Sequence, residues 1–414
     1  MNILRISTAG SVDDGKSTLI GRLLYDTNSL SKDKIENIQQ VSKQRGLAEM
    51  DLSLITDGLV AEREQGITID VAHIYFNTPS RKYIVADSPG HVEYTRNMIT
   101  GASNASVFMI LIDARKGIIE QTKRHLFVAA LMEIKNIVFV INKMDLVDYE
   151  ESVYLKIRSE IKQLEEKFDL GERNLTFIPV SAKVGDNVVK SSSNMNWYQG
   201  TNLLDYLEAV EVIENTEDFR FNVQYVIRPQ SDEFHDFRAY AGKVKSGILK
   251  VGDRISVASS GQSSTVKAIN RYKEPLLQAK SGDSVTIELA DDIDISRGDI
   301  LRLAQDKLEG TKQLNSKVCW LGKEDLVQQK RYLLQYGSST VPVKIANVET
   351  QLDFDTLNFE ANPEKVNVNS INQMQIKSAS PIYLDEYKSN KNNGYFVLVD
   401  EQTNATVGVG FKVH

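Results

Sequence analysis

The sequence predicts an α/β domain, a mostly parallel sheet with helices on both faces, followed by two all-β barrels. Three observations predict it. Short β-branched or aromatic runs alternate with helix-period segments over the first half. The first run, Ile3 to Ala9, meets Gly10 and then opens a helix from about Lys16 to Tyr25. Beyond a polar acidic connector at Glu214–Asp218 come short strand-like runs broken by glycine, as at Gly242-Lys243-Val244, Ser246-Gly247-Ile248 and Val251-Gly252-Asp253.

In the first domain the further strand candidates are Ala72–Phe76, Tyr83–Asp87, Ser106–Asp113, Ile137–Asn142 and Thr176–Val180. Val153, Ile157, Ile161, Leu164 and Phe168 form an apolar stripe at helical spacing, the buried face of one helix. Lys32 to Arg45 carries mixed charge and is expected as a solvated helix. A second break near Glu309-Gly310-Thr311 divides the barrels. Trp320-Leu321, Val341–Val348 and Tyr395–Val399 are expected strands of the last one. The expected limits are 1–215, 220–308 and 312–414.

Composition narrows the function. Hydrophobic residues make up 41% and charged residues 25% of 414 positions, so a large core can form without staples. The single thiol, Cys319, excludes an intramolecular disulfide, which fits a reducing cytoplasm, and beside Trp320 it is expected as a small core residue. No apolar stretch approaches the ~20 residues of a membrane helix, and no signal peptide is expected. A net charge of −7 argues against a general nucleic-acid binder.

Gly10-Ser11-Val12-Asp13-Asp14-Gly15-Lys16-Ser17 matches G-x-x-x-x-G-K-[ST]. The glycines let backbone N–H groups wrap a phosphate, and the helix N-terminus beginning Lys16-Ser17-Thr18 adds partial positive charge. Lys16 is expected on the β- and γ-phosphates and Ser17 on Mg²⁺. Asp87-Ser88-Pro89-Gly90 follows a strand, which places Asp87 to hold Mg²⁺ through water and the Gly90 N–H to meet the γ-phosphate. Asn142-Lys143-Met144-Asp145 names the base. The Asp145 carboxylate accepts from N1–H and N2–H₂ of guanine, and adenine would leave it unpaired. Asn142 ties this loop to the base or to the phosphate loop, and the Lys143 stem covers a face of the base. In Ser181-Ala182-Lys183 the Ala182 N–H is expected to donate to guanine O6.

Thr68, in Ile67-Thr68-Ile69, would complete the Mg²⁺ shell while the γ-phosphate is present, which makes its segment a switch; the other reading is a strand threonine. His91 would orient the attacking water, against the reading of a structural histidine. His73 lacks such a context and is taken as structural. GTP and Mg²⁺ are therefore the expected cofactors.

The ordered set, with Arg63-Glu64-Gln65-Gly66 before Ile67, resembles the translation-factor GTPases, the elongation factor Tu superfamily. More narrowly, the chain is similar to the family of GTPase (large) subunits of bacterial sulfate adenylyltransferase. Asp13–Thr27, Asp57–Gly66, Tyr94–Met98, Asp113–Gly117, Asn142–Tyr149, Trp197–Gly200, Ile293–Asp299 and Asn404–Gly410 carry that likeness along essentially the whole chain.

The resemblance implies a heteromer, a heterodimer or larger, with a separate catalytic subunit that joins sulfate to ATP. It also implies a monovalent cation near Asp13 and an apolar gate of Val12 and Ile67 on His91. Ser88, His73 and Val92-Glu93 depart from the usual residues without touching a matched nucleotide contact. The alternative is a translation factor delivering aminoacyl-tRNA, which would share the nucleotide motifs; Asp57–Gly66 and Tyr94–Met98 favour the first reading.

Overall fold

A computed structural model describes residues 3–44, 46, 50–55, 72–88, 98, 101–102, 105–167, 171, 173–212, 218–229, 237–322, 324–328, 330–353 and 358–414. The chain divides into two compact units, Met1–Val212 and Ile213–His414.

The first unit runs β1 (Ile3–Ala9), α1 (Lys16–Asp26), α2 (Lys32–Gln44), β2 (Ala72–Asn77), β3 (Lys82–Asp87), β4 (Val107–Asp113), α3 (Glu120–Leu131), β5 (Asn136–Asn142), α4 (Glu151–Lys167), β6 (Asn174–Pro179) and α5 (Leu203–Ala209). Its sheet has the order β2-β3-β1-β4-β5-β6. β1, β3, β4, β5 and β6 are parallel, and β2 is an antiparallel edge. Every residue of β4 and β5 is buried, the pattern of central strands covered on both faces, whereas β2 is largely exposed or half-buried. His73 lies on the exposed side of that edge strand.

The helical stripe holds in α4, where Ile157 and Ile161 are buried and Val153 and Leu164 half-buried; Phe168 lies outside the described residues. The mixed-charge stretch is α2, mostly solvated, with Ile38 and Ser42 buried. Gly21 of α1 is required by packing, because a Cβ there would lie 2.1 Å from the Leu52 carbonyl oxygen.

The second unit contains two antiparallel seven-stranded sheets, each closed by an additional pairing. The first is formed by β7 (Arg220–Ile227), β8 (Ala239–Ser246), β10 (Arg254–Val257), β11 (Ser263–Arg271), β12 (Glu274–Leu276), β14 (Ser284–Leu289) and β15 (Ile300–Leu303). A separate ribbon pairs β9 (Ile248–Lys250) with β13 (Gln278–Lys280). Pairing of β10 with β11 closes this barrel. The second sheet runs β17 (Arg331–Tyr336), β21 (Tyr395–Asp400), β22 (Thr406–Lys412), β16 (Thr311–Trp320), β20 (Ile371–Ile382), β18 (Ser339–Asp353) and β19 (Asn358–Ala361), and β17 also pairs β18.

Inward residues alternate with outward ones, and each barrel has its own apolar core. Cys319 is buried and free, as expected, and Leu321 falls just past its strand. Arg220, fully buried, joins the barrels: its Nε and Nη2 donate to the two oxygens of Asp385 at 2.9 and 2.8 Å. Such a bidentate pair satisfies a charge that burial alone would make costly.

Candidate nucleotide-binding site

The sequence motifs converge on one edge of the parallel sheet. The loop 10–15 leaves β1, Asp87 ends β3, Asp113 ends β4, Asn142 ends β5, and Ser181 follows β6. Carboxyl ends of parallel strands are where α/β sheets bind ligands, because the loops there diverge around a crevice.

The loop turns tightly and pairs two of its own amides. Asp13 and Gly15 both have positive φ, 68° and 91°. Asp14 N–H donates to the Ser11 carbonyl at 3.2 Å, and Ser11 N–H to Asp14 Oδ2 at 2.6 Å. Lys16 is buried and its Nζ donates to the Gly10 carbonyl at 3.2 Å, its one hydrogen-bond partner among the described residues. Two of the three ammonium donors thus remain for an anion. Burial pushes the Asp14 carboxyl up to about 6, against the pull of Ser11 N–H, Lys116 and Lys16.

Asp87 is buried and accepts from Thr8 Oγ1 at 2.9 Å, across the β1–β3 register that sets Thr8 opposite Asp87. The carboxylate is thereby fixed beside the root of the phosphate loop. Ser88 is buried, with no partner for its hydroxyl among the described residues. A Ser17 hydroxyl and an Asp87 carboxylate are hard oxygen donors, so the residues fit Mg²⁺. Pro89, Gly90, His91, Thr68 and Ile67 lie outside the described residues.

Asn142 staples three loops. Its Nδ2 donates to the Asp14 carbonyl at 2.8 Å and its Oδ1 accepts the Ala182 N–H at 2.9 Å. The Ala182 N–H, foreseen on guanine O6, donates to Asn142 Oδ1 in this structure. Asp145 Oδ1 accepts from Ser181 Oγ at 2.6 Å, which aims the carboxylate.

Lys143 has φ 66°, and its ammonium reaches back to the Asp13 carbonyl and to Asp113 Oδ2, the latter at 3.0 Å. Burial alone would raise the Asp113 carboxyl, but Arg115 and Lys143 together hold it far below the usual carboxylate range. Lys183 follows Ala182 on the same loop, where Arg22 of α1 donates to both their carbonyls. Met144 is buried under the base loop, its N–H on the Val180 carbonyl.

Three residues at or beside the site carry no local motif. Asp113 stood in the family-like stretch Asp113–Gly117 with no role attached. Arg22 lies about 1.7 turns into α1, and its long reach puts it on the Ser181–Lys183 loop. His125 is fully buried in α3, where desolvation, then Lys16 and Arg124, push it down to about 3. Its one sequence signal is Gln121 four residues earlier, which bonds its ring at 3.2 Å.

Residues 1–217 match the family described as Elongation factor Tu GTP binding domain, and residues 313–412 match the GTP-eEF1A C-terminal domain-like family. Sulfate adenylyltransferase subunit 1 of Alteromonas mediterranea is 44% identical over 100% of this chain and 87% of its own length. The chain belongs to this family. The counterpart from Cellvibrio japonicus is 43% identical over 99% of this chain and 86% of its own length. The bifunctional enzyme CysN/CysC of Mycobacterium tuberculosis is 44% identical over 99% of this chain and 67% of its length. Among solved structures, the Saccharomyces cerevisiae Ski7 GTPase-like domain, bound to GDP and inorganic phosphate, aligns over 100% of this chain and 97% of that one, with TM-score 0.54 and 18% identity. That likeness bears on the fold.

One consequence of the staple is testable. A Cβ on Gly15 would sit 2.5 Å from Asn142 Nδ2, at a φ that L-residues avoid. Gly15→Ala is expected to break the Asn142–Asp14 bond and to strain the loop, at about 3 kcal/mol together. Guanine-nucleotide affinity should fall roughly 100-fold, with a lower unfolding temperature, and titration with fluorescent GDP plus a melting curve would read both. Unchanged affinity would show that the loop does not depend on this packing.

Proposed function

We propose that this chain is the GTP-hydrolysing subunit of a heteromeric sulfate adenylyltransferase, and that it couples GTP hydrolysis to formation of adenosine 5′-phosphosulfate and pyrophosphate from ATP and sulfate. The observation that supports this reading most is the likeness to sulfate adenylyltransferase subunit 1 over the whole chain, barrels included. A guanine-nucleotide domain alone would fit many GTPases.

In this reading residues 10–18 and Lys16 hold the phosphates, with Lys16 also stabilising charge that develops on the transferred phosphoryl group. Ser17, Thr68 and, through water, Asp87 would hold Mg²⁺, which when bound supplies positive charge to the phosphate oxygens. Ser88, Pro89 and Gly90 line the γ-phosphate, and His91 orients the attacking water. Asn142, Lys143, Met144 and Asp145, with Ser181, Ala182 and Lys183, form the guanine pocket. Asp13 would help hold a monovalent cation.

The partner would be a separate subunit that binds ATP and sulfate, and the setting the cytoplasm; among the described residues no helix is long and apolar enough to cross a membrane. The assigned limits are 1–215 for the nucleotide domain and 220–308 and 312–414 for the barrels.

Coupling requires that the GTP and GDP states bind some step of the partner's cycle differently. Alone, the chain should hydrolyse GTP on the order of 10⁻⁴ to 10⁻² per second. With the catalytic subunit, ATP and sulfate, the rate should rise on the order of 100-fold or more. Phosphate release measured with and without each component tests this. A rate indifferent to the subunit and its substrates would overturn the reading and direct the search to ribosomes and tRNA.

A further inference from the structure

The first barrel has a corner that its own fold does not explain. The β11–β12 hairpin pairs Arg271 with Glu274, which leaves Tyr272-Lys273 as a two-residue tip. Tyr272 occupies the first tip position at φ 57°, where glycine or asparagine is favoured and a bulky aromatic is not. Tyr272 is 88% exposed, and the Lys273 ammonium, 5.7 Å from the ring centroid, is its ring's one recorded contact among the described residues. Strained backbone of this kind is retained where a contact made elsewhere requires the side chain.

The chain runs on from this tip into a second unusual group. Leu277 is 86% exposed, and its carbonyl accepts from the N–H of Val251, which is also exposed. The β9–β13 ribbon sets Ile248 and Lys250 beside Lys280 and Gln278 on its outer face, while Leu249 and Ala279 turn inward. At about 3.3 Å per extended residue, Tyr272 lies within roughly 17 Å of Leu277. That span suits one side of an ordinary protein interface.

Charge identifies the occupant. Lys250, Lys273 and Lys280 border the apolar residues, and among the described residues none of them pairs with a carboxylate, whereas neighbouring Arg271 is held by Asp283 at 2.6 Å. Asp253 and Asp283 accept from Lys250 and Lys280 only through the backbone amides, and Lys273 lies over the Tyr272 ring, so three ammonium groups without an ion pair among the described residues fit an acidic rim. Leucine, valine and isoleucine at the centre fit a dry apolar core rather than stacked bases.

We propose that this corner, Tyr272, Leu277, Val251 and Ile248 within the rim of Lys250, Lys273 and Lys280, docks an acidic, apolar-centred surface of the separate adenylyltransferase subunit. The inference rests on the functional reading above.

The test uses the full chain and the purified subunit, with binding measured by calorimetry at low and high salt and GTP affinity measured in parallel. Leu277→Asp is expected to weaken the complex about 30-fold, as for a central apolar anchor, with GTP affinity and unfolding temperature unchanged. Tyr272→Asn should raise the unfolding temperature, since it relieves the positive φ, yet weaken the complex about tenfold. Reversing the three lysines to glutamate should weaken the complex and flatten its salt dependence. A complex formed normally by all three variants overturns the docking surface and leaves the functional reading intact. No complex with the unaltered chain overturns both. Loss of RNA or anionic-vesicle binding in the variants, with the subunit complex unaffected, would replace the proposed partner.

Discussion

Asp145→Asn is expected to exchange guanine for xanthine specificity. The two side chains have the same shape, and the amide oxygen can keep the 2.6 Å bond from Ser181 Oγ. The loop geometry should therefore survive, held by Asn142 on Asp14 and Ala182. What changes is the second oxygen, which becomes an N–H₂ donor facing the N2–H₂ donor of guanine. Two charge-assisted bonds are lost and a donor–donor contact takes their place. At about 1.5–3 kcal/mol per bond to a charged group, GTP affinity should fall on the order of 100- to 10,000-fold. Xanthine carries a carbonyl oxygen at position 2, so xanthosine triphosphate should bind the variant better than GTP does. Competition of the two nucleotides against a fluorescent GDP would read the ratio. A variant that still prefers GTP would remove Asp145 from base recognition.

This part of the site was legible because each motif is local. A phosphate loop needs contiguous residues, and so does Asn142-Lys143-Met144-Asp145. The strands between them were legible for a related reason: β4 and β5 are buried along their full length and read as unbroken apolar runs. Of the links between loops, the tie from Asn142 toward the phosphate loop was foreseen, and the others were not legible. Asn142 meets Ala182 because β6 pairs with β5, and Lys143 meets Asp13 because β1 and β5 flank β4 and Lys143 turns through a positive φ. No spacing rule encodes a contact across such distances in sequence.

The barrels show the same division. Glycine-broken runs announced strands, but the orders β10-β15-β7-β8-β14-β11-β12 and β17-β21-β22-β16-β20-β18-β19 depend on closure of each sheet. The buried Arg220–Asp385 pair joins residues from different barrels and has no local signal. The exposed Tyr272 shows the converse case. A tyrosine at a hairpin tip looks ordinary in sequence, and only its φ of 57° marks it as strained.

Lys16→Met tests whether the lysine acts through charge or through shape. Methionine keeps an unbranched apolar stem in the same buried position and removes the ammonium. The bond to the Gly10 carbonyl disappears, a loss of about 1–3 kcal/mol that falls on the loop whether or not nucleotide is present. If Lys16 also meets the phosphates, a buried charge pair is broken on binding, at roughly 2–5 kcal/mol. The two effects separate by ligand. A loop defect should weaken guanosine and GTP alike, because both need Asn142 and Asp145 in place. A phosphate role should spare guanosine and weaken GTP on the order of 100-fold or more. The phosphate role also predicts that salt lowers GTP affinity less in the variant than in the unaltered chain, since one charge contact is gone. Equal losses for guanosine and GTP would make Lys16 a loop brace. The geometry favours the larger GTP loss, because a buried ammonium with one carbonyl partner among the described residues has two donors to offer.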